Sequence, residues 1–397
     1  MKKILIGIIC ILVIALLILS YQSNEIRFGF KILTNKLFTV SEPQEYNSVY
    51  KVNDLSISTC DYYFCTLNEF QKILYTDIIH SIKNYENEVV ISEYDKINYN
   101  EISENVKYVM NTIFLDHPEI YYVKPEYSIY VSNTSLINGI VIKLNYNLEN
   151  RDDMLRANKE INNKIDNILK EIDTNKKFDT ELQLHDYVAK NFKYHSYVDE
   201  KNIEQKYHTI TGPLLSDEGV CDGLSKTLQV LLNKVGIESI FVTGLLDNVS
   251  HGWLMVKLDN KWYNLDVTSN KYIINEIGES EFVSHTYFNV TTNELKKTHK
   301  FDNEDILPLA NSLDKNYYVL NKFSLNKEDN MELKLKEIIN KQKNNKYIEF
   351  VTDYSENISN KLLMSLYNIN FNNYKSKGNS VKLNYYKEGN TYTFKNE

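Results

Sequence analysis

A chain of 397 residues is long enough for two or three domains with a sizeable buried core. Its net charge of −8, with no basic groove interleaved with aromatics, argues against a nucleic-acid partner. Four cysteines are too few for a disulfide framework, and 31 tyrosines among abundant Asn, Lys and Ile fit codon bias better than a carbohydrate-stacking surface.

Residues 4–19 form an uninterrupted apolar run, preceded by Lys2 and Lys3 and followed by Ser20 and Tyr21. As a helix the run rises roughly 24 Å, slightly short of a hydrocarbon core of about 30 Å, and snorkelling lysines with an interfacial Tyr cover the shortfall. No small-residue cleavage site follows it, and Cys10 lacks the small residues a lipoprotein site places before it. Residues 1–21 are therefore expected to be an uncleaved signal anchor with the N-terminus in the cytoplasm and the remainder outside the cell; secretion after signal cleavage is the alternative.

Residues 22–58 read as a spacer. Residues 59–175 form a mixed α+β region: helical spacing through Phe70, Ile73, Leu74, Ile78 and Ile82, a second helix over 106–115 stopped by Pro118, alternating strands in YSIYVS and GIVIKLNY, and a helix over 152–172. His117 reads as a helix-end or packing residue. Cys60 and Cys65 sit close enough to bond in an oxidising compartment, whereas a helical path through DYYF would point them apart, so the pairing stays open.

The core is expected over 176–300. A helix over 179–191 carries His185 as a structural residue, and an irregular stretch over 193–219, containing His195 and His208, is either a substrate wall or an exposed insertion. In 219–236, GVCDGLSKTLQVLLNKVG, the spacing of Leu224, Leu228, Leu231, Leu232 and Val235 predicts an amphipathic helix ending at Gly236. Cys221 falls in its first turn, where unpaired N–H groups and the positive dipole end favour a thiolate. IESIFVTG then reads as a strand.

HGWLMVKLDNKWYNLDVT reads as two alternating strands joined by Asp259 and Asn260, both tolerant of the positive φ of a two-residue turn. With Leu258 facing Lys261, His251 and Asp266 become diagonal neighbours on one face, within side-chain reach. Leu254, Val256, Leu258, Tyr263, Leu265 and Val267 fill the other face, and a slip of one residue would mix the two sets. Trp253 and Asn264 share the His251 face and are expected to wall a substrate pocket.

A free cysteine is commonly just a small buried hydrophobe. Together, however, a cysteine at a helix start, a histidine to take its proton and a carboxylate to orient the imidazole compose the nucleophile, base and orienter of cysteine acyl transfer. GVCDGLS, HGW and WYNLDVT, in this order, resemble the transglutaminase-like superfamily, and LHDYVAKNFKY, TYFNVTTNELKKTH and the upstream LNEFQKILYTDI and DHPEIYYV extend the likeness to roughly residues 60 to 300. The resemblance implies a papain-like α+β core with a nucleophile helix on an antiparallel sheet, and it assigns Cys221, His251 and Asp266 as nucleophile, base and orienter. Many relatives have Trp after DVT where this chain has Ser269, which leaves a detail of the pocket wall open.

No metal or cofactor is expected: the core holds one cysteine, and the histidines lack HExxH-like spacing. Residues 301–397 read as a small accessory α/β domain without chemistry, with helices over 327–341 and 357–367 and strands in KYIEFV, SVKLNYY and TYTF. The sequence thus points to an extracytoplasmic cysteine acyltransferase or amidase acting on protein or peptide substrates, such as surface proteins or peptidoglycan stem peptides. A catalytically silent scaffold on the same fold is the alternative.

Overall fold

The computed structural model describes residues 61–91, 99–133, 138–195, 203–270, 282–354, 362, 364–366 and 385–395. The expected anchor and spacer, and Cys60 with its pairing, lie outside these residues. Among the described residues no helix is long and apolar enough to cross a membrane. The chain divides into two compact units between Lys164 and Ile165.

In the first unit, α1 (Glu69–Lys83) opens with a capping box: Asn68 accepts from the Gln71 backbone at 2.9 Å while the Gln71 side chain accepts from the Asn68 N–H at 3.1 Å. Strand β1 (Glu88–Ile91) follows, then α2 (Tyr99–Asp116), β2 (Ser128–Asn133) and β3 (Asn138–Lys143), with the strands in the antiparallel order β1-β3-β2. Helix α2 starts well before the expected position, since Ile102 continues the buried stripe of Val106, Val109 and Ile113 through a polar stretch. His117 is buried and pairs with Glu119 at 2.8 Å. Helix α3 (Arg151–Lys170) then spans the boundary between the units.

The second unit begins its site-forming part with α4 (Lys177–Asn191). The stretch expected to be irregular is built of short pieces: β4 (Lys193–Tyr194), a 3₁₀ turn over Gln205–His208, α5 (Thr211–Ser216) and β5 (Glu218–Gly219), which pairs parallel with β4. These pieces rest on α6 (Cys221–Lys234), and Gly223 permits the approach: a Cβ there would lie 2.3 Å from the Tyr207 carbonyl oxygen.

Helix α6 buries Leu224, Leu228, Leu231 and Leu232 and packs on β6 (Ser239–Leu246) and β7 (Val249–Leu258). With β8 (Lys261–Leu265), β9 (Phe288–Val290) and β10 (His299–Phe301) they make a five-stranded antiparallel sheet in the order β10-β6-β7-β8-β9. The β7–β8 hairpin has the expected register, Leu254 opposite Leu265 through Leu258 opposite Lys261, turning on Asp259 and Asn260 with φ of 48° and 62°.

The remaining elements are α7 (Thr292–Leu295), α8 (Tyr317–Asn321), β11 (Ser324–Leu325), α9 (Met331–Lys341), β12 (Tyr347–Thr352), β13 (Tyr385–Glu388) and β14 (Thr391–Lys395). Strands β11-β12-β14-β13 form a second sheet, whose Ile348, Phe350, Tyr392 and Phe394 pack with Leu335 and Ile338 of α9. The expected helix over 357–367 lies largely outside the described residues, as do residues 380–384 of SVKLNYY. The architecture is α+β.

A buried polar clamp ties the second sheet to the core. His285 Nδ1 meets Glu349 Oε1 of β12 at 2.5 Å, its Nε2 meets Asp186 Oδ1 of α4 at 3.1 Å, and Tyr318 donates to Glu349 at 2.8 Å. Burial works against the His285 charge, yet Glu349 and Asp186 push its pKa up to about 10. A folded-state pKa above the unfolded value near 6.5 stabilises fully below about pH 6.5 and fades as pH rises through about 10. Glu349→Gln should therefore destabilise the protein by about 3 kcal/mol near neutral pH, since it strands a buried charge. It should also remove this component of the alkaline decline in melting temperature; an unchanged melting profile between pH 6 and 10 would show that the clamp carries no stability.

Candidate active site

Cys221 sits at the first position of α6, behind Val220 in extended conformation, and its side chain is nearly buried. Strand β7 brings His251 to it: the imidazole is hydrogen-bonded to the thiol on one side, and its Nε2 meets Asp266 Oδ2 at 2.8 Å on the other. With Nε2 turned to the carboxylate, Nδ1 is the nitrogen that faces the sulfur. Gly252 makes room for the Phe241 ring of β6, which would stand 2.4 Å from a Cβ there, and Ser225 of α6 donates to the Gly252 carbonyl at 3.1 Å.

Asp266 is fully buried, a position whose desolvation cost must be offset by donors. Its Oδ1 accepts from the Thr268 N–H at 2.9 Å, the Thr268 hydroxyl at 2.8 Å and the Ser269 N–H at 3.0 Å. Its Oδ2 takes His251, the Ser269 hydroxyl and His299 Nε2, the last at 3.1 Å. Burial pushes this carboxyl up, but the imidazoles of His251 and His299 outweigh it and hold it well below the usual carboxylate range. In return, burial opposes the His251 charge while Asp266 raises its pKa to about 10.

The thiol departs from the helix-start expectation. Burial lifts Cys221 above the usual thiol value, His251 pulls it down, and the neighbouring Asp222 carboxylate lifts it further, accepting from the sulfur at 3.2 Å. Asp222 is itself held ionised against its burial by His208, 3.4 Å away, and by Lys226. Cys221 and His251 thus titrate as a coupled pair: burial and Asp222 hold a proton on the sulfur, Asp266 draws one to the imidazole, and the reactive form is the one in which a single proton lies on His251 and the sulfur is a thiolate.

Cys221 and His251 open into a cavity of about 820 Å³. His208, Thr268 and Ser269 line it, so the position where many relatives have Trp supplies both pocket wall and a donor to Asp266. Trp253 and Asn264 do not line it. Both are fully buried: Trp253 stands edge-on to Phe301 at 4.9 Å and His299 at 5.1 Å, and Asn264 donates to the Val290 carbonyl at 3.4 Å. Alternation assigns them to the His251 face, but beyond the triad the side chains of His299 and Phe301 pack on Trp253, and Thr292 of α7 meets Asn264 at 3.4 Å. His185 is structural as expected, held by Asp186 at 3.0 Å and Asn270 at 3.0 Å. His195 pairs with Glu218 at 3.0 Å and stacks on Tyr207.

Sequence reasoning missed His299 and the residues 386–389 that line the cavity from the second sheet. His299 closes the TYFNVTTNELKKTH stretch, and only that position in a recognised motif could have flagged it. His251, Asp266 and His299, and separately His185, Asp186 and His285, lie close enough to hold a metal ion. In each set both imidazoles meet one carboxylate oxygen at hydrogen-bonding distance.

Residues 166–267, which include Cys221, His251 and Asp266, match the family model of the transglutaminase-like superfamily. Among solved structures, the chain is similar to a TGase at 16% identity, with a TM-score of 0.26, over 46% of this chain and 50% of that one. It is also similar to a candidate cysteine protease of Cytophaga hutchinsonii at 14% identity, with a TM-score of 0.22, over 37% of this chain and 63% of that one. The chain therefore spans half the length of the first and less than two thirds of the second. No curated protein matches it.

Two substitutions should move Cys221 in opposite directions. Asp266→Asn removes the charge that raises His251, so alkylation of Cys221 by iodoacetamide at pH 7 should slow at least about tenfold, one pKa unit on the imidazole being a factor of ten. Asp222→Asn removes a carboxylate that disfavours the thiolate and should speed the same reaction. Rates followed on the Cys221 peptide by mass spectrometry check both, and equal rates in all three proteins would dissolve the assigned couplings.

Proposed function

We propose, from the match of residues 166–267 to the transglutaminase-like superfamily model, that the chain is a cysteine acyl-transfer enzyme acting on carboxamide or peptide bonds of protein or peptide substrates. The observation that carries this reading is the line from Asp266 through His251 to the Cys221 thiol at the wall of an open cavity. In the first half-reaction the pair reacts in its singly protonated form, with the proton on His251 Nδ1, and the Cys221 thiolate attacks the carbonyl carbon. The Cys221 N–H, in the first turn of α6 where N–H groups lack intrahelical acceptors, stabilises the oxyanion. The C–N bond breaks as the imidazolium returns its proton to the departing amine, leaving a thioester on Cys221.

In the second half-reaction His251 takes a proton from water or a second amine, whose oxygen or nitrogen attacks the thioester, and the proton passes to the leaving thiolate. Water gives deamidation or hydrolysis; an amine gives cross-linking. Asp266 keeps Nε2 protonated and compensates the imidazolium charge throughout, without itself taking a proton. The apolar run at 4–19 behind Lys2 and Lys3 supports a membrane-anchored enzyme with this domain outside the cell, where surface proteins and peptidoglycan stem peptides are within reach.

Acid-quenched turnover of glutaminyl and peptide-amide substrates should yield a hydroxylamine-sensitive adduct on the Cys221 peptide, and Cys221→Ser should lower turnover on the order of a thousandfold or more. On intact cells a membrane-impermeant maleimide should label Cys221. Absence of any Cys221 adduct or Cys221-dependent amine release across the panel would refute the acyl-transfer reading, and labelling only after lysis would refute the location.

A further inference from the structure

The second sheet does more than brace the core, because its edge hairpin forms a wall of the Cys221 cavity. Tyr386, Lys387, Glu388 and Gly389 line the cavity that also holds Cys221 and His251. The hairpin turns at Gly389, with φ of 51°, which seats Glu388 at the last ladder position, opposite Thr391. Lys387 faces Tyr392 across the ladder and places its ammonium 5.5 Å from that ring's centre. Strand alternation turns Glu388 the other way. There Tyr287, also a lining residue, is hydrogen-bonded to its carboxylate.

The cavity's lining carries both signs of charge: Asp222, Asp247 and Glu388 are its carboxylates, and Lys387 and the imidazoles of His208 and His251 its basic groups. Asp222, also partly exposed, is committed to His208 and Lys226 beside the nucleophile. Asp247 sits exposed in the turn between β6 and β7, so Glu388 is the half-buried carboxylate on the wall contributed by the hairpin. Partial burial makes such a charge count for more than one on the open surface.

We propose that Glu388 selects substrates that place a cationic group, an ammonium or a guanidinium, beside the amide attacked by Cys221. The proposal rests on the acyl-transfer reading of the same site, and its first test does not need turnover. Cys221 is labelled with neutral methyl, cationic trimethylammonioethyl and anionic sulfonatoethyl methanethiosulfonates. In each case the thiolate attacks the sulfenyl sulfur, a disulfide forms and methanesulfinate leaves.

With each rate normalised to the neutral reagent, the cationic reagent should outpace the anionic one in the native protein. Glu388→Gln should lower that ratio about threefold to fivefold at low ionic strength, the size of a partly exposed charge interaction, and Glu388→Lys should lower it further. The differences should shrink in about 1 M salt, where screening acts over roughly 3 Å. A ratio that is the same in all three proteins overturns the proposal.

The second test finds which part of the substrate carries the charge. N-acetyl-lysine anilide is compared with its norleucine analogue as acyl donor. As acceptor, 1,5-diaminopentane, whose far ammonium stays charged while the near amine attacks, is compared with pentylamine. A preference for the charged member of either pair that disappears in Glu388→Gln supports the proposal and assigns the cation to the donor or the acceptor side. Turnover of all four without a charge preference overturns it. Absence of turnover altogether would count against acyl transfer, and the labelling ratio would still decide the role of Glu388.

Discussion

The carboxylate of Asp266 has no access to solvent, and this one constraint organises the surroundings of the nucleophile. A buried carboxylate without donors costs several kcal/mol. The chain meets that demand by curling 266–269 so that Thr268 and Ser269 donate to one oxygen, and by bringing His251 from β7 and His299 from β10 to the other. The geometry that makes the site reactive is therefore the geometry that makes the buried charge tolerable. It also extends outward: Asn270 receives the Tyr287 N–H at 2.9 Å and contacts His185 at 3.0 Å, and His185 leads to Asp186 and the His285–Glu349 clamp. A polar chain thus runs from Asn270, whose N–H bonds the Asp266 backbone carbonyl at 3.3 Å, to the second sheet.

The pair of charges around Cys221 explains why the helix start alone does not set its reactivity. A first-turn thiol gains from the dipole, but this one is nearly buried and lies against Asp222. Both effects favour the neutral thiol, so ionisation is tied to the arrival of the proton on His251. Such a thiol is protected from adventitious chemistry and becomes nucleophilic only in concert with its base.

Much of this was legible locally. Asp259 and Asn260 fix the hairpin turn, and the alternation around it permits one register, which by itself places Asp266 within reach of His251. The leucine spacing after Cys221 located the nucleophile helix. What failed depends on contacts distant in sequence. Alternation told which face Trp253 and Asn264 occupy, but not that His299, Phe301 and Thr292 pack against them there. The short elements between 193 and 219 carry no period long enough to read, and they exist because Gly212 and Gly223 allow backbone to pack on backbone. Nothing local to His299 or Glu388 marks either as a neighbour of the nucleophile, since one arrives from β10 and the other from β13.

The central claim is that Asp266 sets the proton affinity of His251. Titration of the His251 imidazole by NMR, with isotope-labelled histidine in the intact protein and in Asp266→Asn, measures it directly. The account predicts a midpoint of about 10 in the native protein and a fall toward the ordinary histidine value near 6.5 in the variant. A native midpoint near 6.5 that does not move on substitution would contradict it.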